Sequence, residues 1–151
     1  MIDTKVMNLM LIELDSSDEK FKSALDKFIK MGIKLIQSSE EFQEELSMYS
    51  DLLFHVFISD IDYNIWLKKI GTELSYNTSF YEKASEELRT IHLILTKDTM
   101  KRIFRKKLDP TEGWFKGIIK IDGELSDVIL ARNLLKSFTE LFSYHLTNKL
   151  V

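Results

Sequence analysis

The chain has 151 residues, of which 44% are hydrophobic and 30% charged, and its formal net charge is −3. This length suits one domain, and this apolar content exceeds that of a disordered chain. The negative balance gives no general attraction to nucleic acid. The absence of cysteine excludes a disulfide framework, a thiolate zinc site and a cysteine nucleophile.

The N-terminal residues predict neither secretion nor membrane insertion. The apolar run from Val6 to Ile12 contains Asn8 and ends at Glu13, and no small-residue cleavage site follows it. No stretch approaches the roughly 20 apolar residues that a membrane-spanning helix needs. We therefore expect a cytoplasmic protein.

Residues 1–50 are predicted to be mainly helical. Ser16 with Glu19 forms a capping box, and apolar residues then recur at helical spacing. A second capping box, Ser38 with Glu41, opens a shorter helix. The residues before the first capping box fit a strand and a helix equally.

After Asp51 the pattern changes to the alternation of β-strands. Two strands are joined by a turn at Asp60–Asp62, and Gly71 supplies the positive φ of a second turn that leads to a third strand. A polar crossing at residues 79–88 separates this meander from a fourth strand around Leu93.

The last third is predicted to alternate helices with one strand. Thr96 caps a helix that extends to about Lys107. Asp109–Glu112 places an acid at the N-cap, proline at N1 and glutamate at N3 of a short helix that ends at Gly117. A fifth strand follows, and Ser126 caps a long final helix.

This order of elements predicts an α+β fold, with a five-stranded, largely antiparallel sheet and helices on one face. Residues 51–151 would form the domain, and residues 1–50 a helical extension packed on it.

The segment from Leu95 to Phe138 resembles the sterol carrier protein 2 family. The run Asp109–Gly123, with the sequence DPTEGWFKGIIKIDG, carries the likeness. In that family a basic helix leads to an Asp-Pro turn, a short helix with aromatic residues, a glycine, a lysine-containing strand and a helix rich in Ala and Leu. The segment before Asp51 is longer than in the bare domain. The resemblance implies an apolar tunnel between sheet and helices that takes a fatty acyl chain, a sterol or a similar lipid.

We expect the tunnel to bind a lipid or an acyl-CoA and the protein to need no cofactor. Large apolar side chains are the candidates for its wall. They are Phe57, Trp66, Phe104, Trp114, Phe115, Leu130, Leu134, Phe138 and Phe142. The simpler alternative is an ordinary filled core, in which case the chain would be a structural or dimerising protein. A separate alternative is an accessory domain to an acyl-CoA enzyme.

Six basic residues lie between positions 97 and 107. Lys101, Arg102 and Arg105 are candidates to bind an anionic headgroup. The sequence leaves open both transient contact with an anionic membrane and homodimerisation. A solvated helix face is the alternative for the basic run.

No set of residues predicts catalysis or metal binding. His55 and His92 lie on strands whose placement in the sheet could bring them together, but no third ligand is visible. Asp60 and Asp62 are explained by their turn. Because a nucleophile, an oxyanion site and a glycine-rich phosphate loop are all missing, we expect no enzymatic activity.

Overall fold

The computed structural model of the chain describes residues 4–78 and 88–150. The helices are α1 Thr4–Glu13, α2 Asp18–Ser38, α3 Glu40–Ser47, α4 Lys97–Phe104, α5 Pro110–Phe115 and α6 Leu125–Leu150. The strands are β1 Leu52–Ile58, β2 Tyr63–Ile70, β3 Glu73–Asn77, β4 Arg89–Leu95 and β5 Lys120–Asp122. The predicted polar crossing lies, except for its last residue, outside the described residues.

The five strands form one sheet in the order β3-β2-β1-β4-β5. Strands β1 and β4 run parallel, and every other neighbouring pair is antiparallel. The predicted α+β class and largely antiparallel sheet are therefore confirmed. The parallel pair lies at the centre, because the chain returns to the sheet by a crossover after the β1–β3 meander.

The pleat divides β1 into two faces. Phe54 and Val56 belong to the hydrophobic core beneath the helices, whereas His55 and Phe57 point to the opposite face and are half-buried. We call the two sides of the sheet the helix face and the outer face.

The first two helices belong to the same core as the sheet. Phe21, Leu25 and Phe28 of α2 are at most 1% exposed and pack in one cluster with Ile91 and Leu93 of β4. The N-terminal residues therefore contribute central core side chains. The ambiguity of the first residues is resolved, since Thr4–Glu13 is helical.

Both predicted capping boxes are wrong by one residue. Ser17 caps α2 by accepting a hydrogen bond from the Lys20 N–H, and Ser39 caps α3 by accepting one from Phe42. The preceding serine of each pair belongs to the earlier turn: Ser16 donates to the Ile12 carbonyl oxygen and Ser38 to that of Leu35. In each Ser-Ser pair the first residue closes one helix and the second opens the next.

Helix α4 ends at Phe104, three residues before the predicted end. Lys106 has a φ of 57°, and its N–H donates to the Ile103 carbonyl oxygen while the Lys107 N–H donates to that of Arg102. This is a Schellman motif with lysine in the position that glycine usually occupies. The sequence offers no glycine there, so the helix end was not predicted.

The Asp109 cap is confirmed, because its carboxylate accepts the Thr111 N–H at 2.7 Å. The predicted Ser126 cap is wrong: α6 begins at Leu125. Asp127 instead accepts the Glu124 N–H at 3.1 Å and so satisfies a donor at the helix start.

Candidate functional site

An apolar cavity of about 50 Å³ lies between the helix face of the sheet and helices α2, α4 and α6. Every side chain that lines it is apolar. The lining residues are Leu25, Ile29, Phe54, Val56, Ile65, Leu67, Met100, Ile103, Phe104, Leu134, Leu135 and Phe138. We call it the first void.

Two smaller voids continue the same apolar space. The second, of about 20 Å³, shares Phe54, Leu67, Leu134 and Phe138 with the first. The third, of about 10 Å³, reaches α3 and shares Leu46, Tyr49, Leu130 and Leu134 with the second. Neighbouring voids share lining side chains, and Leu134 lines all three.

A glycine lets the last helix approach α2 at this place. A Cβ built on Gly32 would overlap the ring of Phe138. The ring of Phe138 therefore lies against the backbone of α2, between the first and second voids. The ring of Phe138 thus fills space next to both voids.

Four of the predicted tunnel residues meet at these voids. Phe104, Leu134 and Phe138 line the first void, and Leu130 lines the second and third. The side chain of Phe142 lies outside the described residues.

Phe57 and Trp66 lie on the outer face, away from the voids. Trp66 is directly opposite His55 in the register and stacks on its ring with centroids 4.1 Å apart. Phe57 is opposite Asn64. Their size makes both of them candidates for the tunnel wall, but position along the pleat decides which face a strand residue occupies. The same rule would have selected Phe54, Val56, Ile65 and Leu67.

Trp114 and Phe115 line a separate surface depression of about 180 Å³ between α5 and α6. Its rim is apolar and open: Phe115 is 76% exposed, Leu125 67% and Ile129 44%. The structure therefore does not place the α5 aromatics with Leu134 and Phe138.

Two of the three predicted headgroup residues are already paired with the N-terminal segment. Lys101 and Arg105 both contact the carboxylate of Asp15, and Arg105 also donates to the Leu11 carbonyl oxygen at 2.9 Å. Hydrogen bonds from Arg105 lower the pKa of the Asp15 carboxyl below its ordinary value. Only Arg102 of the three has no ion pair within the described residues. Lys101 and Arg105 thus hold the α4 segment against Leu11 of α1 and against Asp15, which follows that helix.

His55 and His92 meet on the outer face, as the sheet placement suggested. Their Nδ1 atoms are 2.8 Å apart, and Nε2 of His55 lies 2.7 Å from Oδ1 of Asn64. Because an amide oxygen only accepts, Nε2 of His55 carries the proton, and its bare Nδ1 accepts the Nδ1–H of His92. Within residues 4–78 and 88–150, no group of three or more metal-ligating side chains comes together.

Asp60 keeps the structural role that the turn predicts, since its carboxylate accepts the Lys97 N–H at 2.8 Å. In the part of the chain that is described, no helix is long and apolar enough to cross a membrane.

No protein-family model and no curated protein matches the chain. Solved structures do. The ubiquinone synthesis protein UbiJ-SCP2 is similar, with a TM-score of 0.58 at 12% identity over 80% of this chain and 98% of that one. The apo form of sterol carrier protein 2 from Yarrowia lipolytica is similar with a TM-score of 0.58 at 13% identity, over 82% of this chain and 96% of that one.

A double mutant of the sec-alkyl sulfatase PisA1 of Pseudomonas sp. gives a TM-score of 0.50 at 18% identity over 85% of this chain. Our chain spans only 17% of that enzyme's length. At these identities the likeness shows the fold alone. The fold is that of sterol carrier protein 2 domains, as the resemblance implied.

Proposed function

We propose that this chain is a noncatalytic carrier that shields the apolar part of a lipid or acyl ligand between the helix face and helices α2, α4 and α6. The observation that carries the proposal is the group of three neighbouring voids that share lining side chains. The sterol carrier protein 2 fold supports it, since relatives with that fold include proteins named as sterol carriers.

The energetics favour an apolar guest. Each buried methylene contributes about 0.8 kcal/mol, so a chain of about 12 carbons gains up to roughly 10 kcal/mol before ordering costs. No polar contact is required for useful affinity, and discrimination between chains of similar length would be weak.

The ligand must open the space that it occupies. The first void, at about 50 Å³, is well below the ~300 Å³ at which ligand sites begin. Because Phe138 and Leu134 separate the voids, their displacement would join them. Uptake in this proposal is therefore a movement of α6 relative to the sheet.

Phe138→Ala tests this directly. Removal of the ring should join the first two voids and strengthen binding of the uncharged fluorescent probe N-phenyl-1-naphthylamine at least severalfold. The measurement is a fluorescence titration of delipidated protein. The matched control is Phe115→Ala, which removes an aromatic ring that is 76% exposed and outside the voids, and should bind the probe like wild type.

The same samples should carry lipid when they are extracted without delipidation and examined by mass spectrometry. If wild type and Phe138→Ala both lack lipid and neither binds the probe, the carrier proposal is refuted.

A second candidate is an assembly protein with a filled core. The small volumes of the voids favour it, as do Leu9 and Ile12 of α1, which are 60% and 65% exposed. Sedimentation velocity separates the two functions when it is combined with lipid extraction, because a stable dimer without lipid would support the assembly role.

A further inference from the structure

One charged side chain is buried beside the apolar voids. Lys69 near the end of β2 is 4% exposed, and its aliphatic stem lines the second void together with Tyr49, Leu74 and Phe138, while its ammonium lies against the Tyr49 carbonyl oxygen. Its position in the pleat places it on the helix face, directly opposite Leu52 of β1. Among the described residues that line the first and second voids, Lys69 alone is charged.

The charge of Lys69 is only weakly compensated. Its ammonium donates to the Tyr49 carbonyl oxygen at 2.7 Å. The nearest carboxylate, that of Asp51, is 3.6 Å away on a side chain that is 46% exposed, and the same oxygen accepts the Gly71 N–H at 2.7 Å. An ammonium has three donors, and a buried charge costs free energy unless it is closely paired.

We propose that Lys69 is the residue by which the carrier distinguishes acidic from neutral ligands, and that it pairs with the carboxylate of a long-chain fatty acid. The inference rests on the proposed function, because the hydrocarbon tail would occupy the joined first and second voids. The carboxylate would complete the coordination of the ammonium with a charge-assisted hydrogen bond, the strongest kind available to a side chain. The hydroxyl oxygen of a fatty alcohol or a sterol can also accept a hydrogen bond from the ammonium, but it is neutral, so this bond is weaker and leaves the charge unpaired.

A simpler role for Lys69 is to hold β2 against the segment between α3 and β1 through Tyr49. That role predicts a loss of stability on substitution but no change in the preference between ligands. The two roles therefore differ in a measurable quantity, the ratio of affinities for an acid and for the matching alcohol.

The experiment measures displacement of the uncharged probe N-phenyl-1-naphthylamine from delipidated protein by hexadecanoic acid, by methyl hexadecanoate and by hexadecan-1-ol. We expect wild type to bind the acid at least about tenfold more tightly than the ester or the alcohol. Lys69→Met keeps the unbranched side chain, one heavy atom shorter, and removes the charge, and should reduce this ratio to less than about twofold.

Lys68→Met is the matched control. Lys68 precedes Lys69, but lies on the outer face opposite Leu53 and Ser75, so its variant should keep the wild-type ratio. If Lys69→Met does not fold, the comparison of acid, ester and alcohol on wild type still decides, since equal affinities would overturn the assignment.

A preference for the acid that persists in folded Lys69→Met would also overturn it. If the carrier proposal itself is wrong, the experiment gives a different result: neither the probe nor any of the three ligands binds wild type.

Discussion

His55 and His92 form a close polar contact on the outer face of the sheet. Burial lowers the pKa of the His55 imidazole below 6.5, and the neighbouring His92 acts in the same direction, while the hydrogen bond with Asn64 opposes them. A proton added to Nδ1 of His55 would also set two N–H groups against each other across 2.8 Å. The folded protein therefore holds His55 neutral.

The consequence is a dependence of stability on pH. Below pH 6.5 an unfolded chain protonates His55 while the folded chain does not, so the free energy of unfolding should fall as the pH drops from 6.5 towards the lowered pKa. His55→Gln should flatten this decline. The measurement is urea unfolding of both proteins from pH 8.5 to 5.5.

Between pH 7.5 and 8.5 the two proteins should show parallel stability curves, since His55 is neutral in both states there. An equally steep decline in His55→Gln below pH 6.5 would contradict the role given to this residue.

At the scale of elements, paired serines decide where helices begin. Ser17→Ala should destabilise the protein by about 1 kcal/mol, because it removes the side chain that accepts the Lys20 N–H at the start of α2. Ser16→Ala is the matched control, and should cost less because Ser16 makes one bond back to the end of α1. Thermal or urea unfolding measures both, and a larger loss for Ser16→Ala would restore the boundary that the sequence predicted.

At the scale of the whole molecule, the contact between α2 and α6 controls the enclosed volume. Gly32→Ala gains up to about 1 kcal/mol of helix propensity, but its Cβ would overlap the Phe138 ring. Overpacking costs about 1–3 kcal/mol, so we expect a net loss of up to about 2 kcal/mol. Urea unfolding measures it.

The double variant Gly32→Ala with Phe138→Leu tests whether the loss arises at this contact. Relief of the overlap should make the two changes non-additive, with the double variant more stable than the sum of the single changes implies. Strict additivity would show that the ring and the glycine do not interact.

Much of the fold could be predicted because its signals are local. The alternation after Asp51 placed β1 and β2, and the run from Asp109 to Glu112 placed α5, since each depends on residues that are neighbours in the chain. Helix ends were less accurate where the deciding group was a backbone conformation, as at Lys106.

The fold class, the strands in chain order and most of the helices follow from local sequence patterns, because the periods of strands and helices are properties of contiguous residues. Which apolar side chains share a space depends instead on how distant segments pack. Phe54 and Leu67 line the voids with Phe138, whereas Trp114 lies in another depression. Side-chain size cannot reveal this, because pleat parity and the approach of α6 to Gly32 determine which surfaces meet.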